Sequence, residues 1–108
     1  MTPTSSWLML LAAGVLEVAF ALGLKSANGL QRPWLLAGTL LVLSGSLGLL
    51  TLALRHLPVG TAYAVWTGIG AVGTALAGVI WMGDSASAGR LACMGLIVGG
   101  VMGLRWLP

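Results

Sequence analysis

Four apolar stretches, at 7–24, 34–54, 59–82 and 91–104, occupy most of this 108-residue chain and are parted only by short polar breaks. A helix rises about 1.5 Å per residue, so the first three are long enough to cross a hydrocarbon core of about 30 Å. The fourth gives about 21 Å of strictly apolar helix, which flanking Arg90, Arg105 and Trp106 extend to the interfaces by snorkelling. Composition excludes the alternative of four buried helices in a soluble domain. Only 6% of residues are charged and 58% are hydrophobic, whereas a water-exposed surface needs about a quarter charged. The chain reads as an all-α membrane protein: one transmembrane domain over 1–108, with helices at about 5–25, 33–55, 59–82 and 87–107. Loops this short force neighbouring helices to run up and down.

The breaks carry their own signals. Lys25-Ser26-Ala27-Asn28-Gly29, with Pro33 beyond, ends the first helix, as Gly at a C-terminal cap and a following Pro do in general. Arg55-His56-Leu57-Pro58 and Gly83-Asp84-Ser85-Ala86-Ser87 make the other two breaks. Asp84 is expected to cap the fourth helix through its first amides. The segment before Trp7 has no Lys or Arg and the first apolar run exceeds a signal-peptide core, so this run reads as a retained helix.

Net charge is +3, but the cations stand singly at segment ends and form no patch of the kind that nucleic-acid phosphates require. If the helices alternate, Lys25, Arg32 and Arg90 lie on one side and Arg55 and Arg105 on the other. Three against two is almost no positive-inside bias, and such a chain is expected to insert both ways up. Cys93 is the single cysteine, so no intrachain disulfide forms and it reads as a small hydrophobe. His56, beside Arg55, reads as a solvated interface residue.

Within the first run stands Glu17, ten residues or about 15 Å from Trp7, at the depth of the bilayer midplane. A carboxylate there costs several kcal/mol unless it faces protein or a wet cavity, and such groups mark ion and substrate pathways. Ala13 and Gly14 lie one turn before it, Phe20 and Ala21 one turn after. On the third helix Tyr63, Trp66, Thr67 and Gly70 share a face, and Tyr63 and Trp66 each join a ring to a hydrogen-bond donor. Ser46, with Ser44 nearby, offers a hydroxyl from the second helix. A carboxylate with rings and hydroxyls is the composition of an organic-cation pocket, although Tyr63 and Trp66 also suit an interfacial aromatic belt. One buried carboxylate is neutralised by a proton or by a cation, not by both at once. That competition is the minimum machinery of antiport. No nucleophile–base pair, phosphate loop or metal spacing accompanies it, so an enzyme, a metal site or an organic cofactor is not expected.

Gly95, Gly99 and Gly103 repeat a GxxxG spacing along one face of the fourth helix. Small residues let helices approach closely in lipid, and this face serves either packing within the chain or a subunit contact.

Taken in order, these residues resemble the small multidrug resistance family of bacterial exporters over nearly the whole chain. Gly14-Val15-Leu16-Glu17-Val18 with Leu24-Lys25-Ser26 looks like the family's first helix. The block from Leu57-Pro58-Val59-Gly60 to Trp66-Thr67-Gly68-Ile69-Gly70 looks like the guanidinium-exporting subtype rather than the quaternary-ammonium exporters, and Gly83-Asp84-Ser85-Ala86 with Arg90-Leu91 continues the match. The resemblance implies an antiparallel, dual-topology homodimer in the bacterial inner membrane that exchanges protons for guanidinium by alternating access. By motif position Glu17 would bind proton and substrate, Ser46, Tyr63 and Trp66 would orient it, and Gly14 would be its close-packed neighbour. Phe20 departs from the subtype, which usually has Trp here, and cannot donate a hydrogen bond. Rival readings are a quaternary-ammonium or multidrug exporter, a non-transporting membrane subunit, or half of a heterodimer.

Overall fold

The computed structural model describes residues 3–107, and these form four helices: α1 (Pro3–Ser26), α2 (Pro33–Ala53), α3 (Val59–Trp81) and α4 (Ala88–Trp106). All four are long and apolar enough to cross a membrane. The chain is an all-helical, multi-pass membrane protein.

Each helix end has a local cause. After Ala27 the backbone enters the left-handed region at Asn28 (φ 53°) and Gly29 (φ 71°), which turns the chain out of α1. These are the residue types that tolerate that region. Pro33 then opens α2, where its missing N–H belongs to the unbonded first turn anyway. The last turn of α2 tightens, with Arg55 N–H donating to Leu52 O (3.2 Å) and His56 N–H to Ala53 O (3.1 Å), so regular helix stops at Ala53 rather than near 55. Gly83 (φ 73°) follows α3.

The cap of α4 corrects the sequence expectation. Ser87, not Asp84, is the N-cap, and its hydroxyl accepts from the Arg90 N–H at 3.3 Å. The segment 83–87 holds three cap-competent side chains, and the one nearest the helix takes the role. Asp84 is thereby left for other contacts.

The helices line up in the order α2, α1, α3, α4, with α2 also touching α3. The result is a slab of 44 × 35 × 17 Å rather than a closed bundle. Its core is Leu10, Ala13, Leu50, Ala53, Ala62, Val65 and Trp66, shared by α1, α2 and α3. Helix α4 packs mainly on α3, and Met94 is its one buried residue among those described. At one end the Arg105 guanidinium lies 5.1 Å from the centre of the Trp7 ring, tying the end of α4 to the start of α1.

Candidate functional site

Close helix approach sets up the site. Gly14 on α1 has no side chain, and Ile69 of α3 fills the space; a Cβ at 14 would lie 2.5 Å from Ile69 Cγ2. One turn along, the roles reverse: Gly70 on α3 is bare, and the Glu17 carboxylate lies against it. Each helix thus receives a side chain from the other at a glycine, the device by which small residues bring membrane helices together.

Glu17 faces an open cleft of about 550 Å³ lined by Phe20 and Ala21 of α1, by Thr67, Gly70, Ala71, Thr74 and Ala75 of α3, and by Asp84. The α3 positions follow the three- and four-residue steps of one helix face. Glu17 Oε2 is buried and has no hydrogen-bond partner among the described residues. Buried polar atoms are nearly always paired, so an orphaned carboxylate oxygen at membrane depth needs an explanation. The Thr67 hydroxyl donates back to the Tyr63 carbonyl (2.8 Å), leaving its oxygen to the cleft as an acceptor. The cleft therefore offers acceptors, charged and neutral, between apolar walls.

Beside the cleft, a polar chain ties three helices. Trp66 Nε1–H donates to Ser46 Oγ at 3.0 Å, and the Ser46 hydroxyl donates to the Ala13 carbonyl at 2.6 Å. Ser46 is fully buried and Trp66 nearly so. By helical register the Ala13 carbonyl also accepts from the amide of Glu17, so the chain ends on the backbone that carries the carboxylate.

Of the residues selected from sequence, Glu17 and Phe20 share the cleft. Ser46 and Trp66 are brought together, with Trp66 donating to Ser46 and Ser46 donating to the α1 backbone rather than to the carboxylate. Gly14 packs on Ile69. Tyr63 is 58% exposed, with its ring 5.7 Å from that of Trp66 at 56°, and it does not line the cleft. Among the described residues, nothing lies within 4 Å of a Cβ added at Gly95, Gly99 or Gly103. Their Cα positions thus have open space beside them among the described residues. Sequence reasoning passed over Gly70, Thr74 and Asp84 as site residues; the signal was the stripe 67, 70, 71, 74, 75, 78 on α3, which continues a face already visible at Thr67 and Gly70.

The sequence model for the small multidrug resistance protein matches residues 5–97. The chain belongs to the small multidrug resistance family. A guanidinium exporter of Citrobacter freundii is 52% identical over 100 residues, covering 93% of this chain and 95% of the relative. One from Salmonella typhimurium strain LT2 is 52% identical over 102 residues with the same coverage. A third, from Yersinia pseudotuberculosis, is 49% identical over 100 residues, with 93% and 96% covered. The family match takes in the whole cleft and the Ser46–Trp66 pair, and ends within α4 before Gly99.

Proposed function

We propose that this chain is a proton-coupled antiporter that exports guanidinium or small guanidinyl cations, with Glu17 taking up proton and substrate in turn. The observation that carries this reading is the buried, unpartnered Glu17 Oε2 at the wall of an open cleft. Guanidinium has N–H donors in a fixed planar fork and no acceptor. The Glu17 carboxylate and the Thr67 oxygen form the complementary all-acceptor set, and the flat ring of Phe20 in the cleft wall suits a planar guest. Names given to relatives about half identical along nearly their full length point the same way.

The transporting unit in this reading is an antiparallel homodimer in the bacterial inner membrane, with the site alternately open to each side. Two features support it: the near-even split of cations between the two sides, and the exposed glycine face of α4, left without a neighbour among the described residues. A proton arriving from one side and a cation from the other exclude each other at the single carboxylate, which couples their fluxes.

Phe20 favours a second reading. Its ring supplies a face for cation–π attraction without a hydrogen bond, which suits quaternary ammonium ions that have no donors to offer. The deciding experiment measures currents on a solid-supported membrane carrying the purified protein, with pulses of guanidinium and of tetramethylammonium. Guanidinium current in the wild type that vanishes in Glu17→Gln is expected. Current with tetramethylammonium alone selects the second reading. No current from the purified chain alone would indicate a heterodimer or a non-transporting subunit, and current surviving in Glu17→Gln would exclude the carboxylate from the mechanism.

A further inference from the structure

The sequence contains only two side-chain carboxylates, Glu17 and Asp84. They are far apart in sequence, one in the middle of α1 and one in the α3–α4 connection, yet both line the same cleft. Their seats are alike. The Glu17 carboxylate lies against Gly70 and the Asp84 carboxylate against Gly78, each where a Cβ would collide with it. Gly70 and Gly78 are both buried on α3, eight residues and so about 12 Å apart along the helix axis. Between them run Ala71, Thr74 and Ala75, the floor of the cleft. The backbone fixes the outer seat as well, since the Asp84 N–H donates to the Gly78 carbonyl at 3.1 Å. Asp84 is exposed, and among the described residues its side chain makes no hydrogen bond or ion pair, although Arg90 follows six residues later. Ser87 performs the capping that would otherwise occupy it.

We infer that Asp84 is an outer cation-docking site: its carboxylate draws the substrate cation to the mouth of the cleft, from which the cation passes along Thr74 and Ala71 to Glu17. The inference rests on the export reading above and deepens it. A cleft whose only two anions mark its inner and outer ends concentrates a cationic guest at its entrance, and low-dielectric walls focus that field. Because the mouth charge is exposed, its effect is screened by salt. Asp84 thus governs capture rather than the exchange step at Glu17, and a merely structural Asp84 would have no salt-dependent signature.

The test uses full-length purified protein in proteoliposomes, comparing wild type, Asp84→Asn, Asp84→Glu and Gly78→Ala with guanidinium pulses at low and high ionic strength. Asp84→Asn should raise the guanidinium KM about fivefold at low salt, the size of one charge contact in water. Maximal current should stay within about twofold, and the salt dependence of KM should flatten. Asp84→Glu keeps the charge at the mouth and should stay near wild type. Gly78→Ala keeps the carboxylate but pushes it off its seat, and should give an intermediate KM. Wild-type current with an Asp84→Asn KM and salt dependence equal to wild type overturns this inference alone. Absence of any wild-type guanidinium current overturns the export reading and this inference with it.

Discussion

The Glu17 carboxylate occupies the space that a side chain at residue 70 would fill, so Gly70 and Glu17 are sterically one unit. A methyl group at 70 would overlap Oε2 and the carboxylate carbon, and the acid would have to rotate away from α3 into the cleft. Overpacking of this kind costs about 1–3 kcal/mol. Gly70→Ala should therefore lower guanidinium current at fixed substrate by about tenfold, the equivalent of about 1.4 kcal/mol, while the protein still inserts and purifies. Current equal to wild type would show that the contact does not constrain the carboxylate.

Ser46 ties α1, α2 and α3 together, and of these α2 and α3 barely touch otherwise. Removing its hydroxyl strands the Trp66 N–H and one lone pair of the Ala13 carbonyl in a dry interior. Hydrogen bonds between membrane helices average about 0.6 kcal/mol and reach about 1.7, and a stranded donor raises the cost. Ser46→Ala should destabilise the protein by about 1–2 kcal/mol in detergent unfolding. Trp66→Phe removes the stranded donor, so the double variant should be less destabilised than the sum of the two by about 1 kcal/mol. Strict additivity would mean that the bond carries no energy.

The helices and the depth of Glu17 could be read from the sequence because hydrocarbon thickness and backbone satisfaction leave few choices for apolar runs of this length. The pairing of Ser46 with Trp66 was also within reach, as each polar group on an apolar helix must find a partner. Its destination was not. Sequence suggested the Glu17 centre as the partner of Ser46, but in the folded chain its hydroxyl donates to the Ala13 carbonyl. Gly70 illustrates a different limit: periodicity assigns a residue to a face, whereas a close approach depends on which neighbouring side chain enters the gap. Asp84 went astray because Asp84, Ser85 and Ser87 are all competent caps, and only the backbone geometry of the loop selects Ser87.

Gly14 tests the same interface from the other helix. A Cβ there meets Ile69 Cγ2 at 2.5 Å and Ile69 Cβ at 2.8 Å. Gly14→Ala should destabilise by about 1–3 kcal/mol and displace α1 from α3 next to the cleft. Ile69→Ala deletes the nearer atom but leaves the Cβ, so it should recover part of the loss and not all of it. A Gly14→Ala protein as stable as wild type by thermal unfolding would mean that α1 and α3 slide apart without penalty.

Gly99 separates packing inside the chain from packing between chains. An added Cβ at 99 meets none of the described residues within 4 Å, and neither do those at 95 and 103. A leucine at this position is therefore accommodated by a single folded chain but fills the groove that a second copy would enter. Gly99→Leu should leave helicity and insertion unchanged while shifting the protein from dimer towards monomer in detergent cross-linking, by about tenfold in dimer dissociation constant if about 1.4 kcal/mol of contact is lost. Transport should fall in parallel under the proposed homodimer, because α4 holds no residue of the Glu17 cleft and Gly99 meets no side chain of α3. Unchanged dimerisation would remove the glycine face from the subunit contact, and loss of helicity would mean that α4 needs that face to fold.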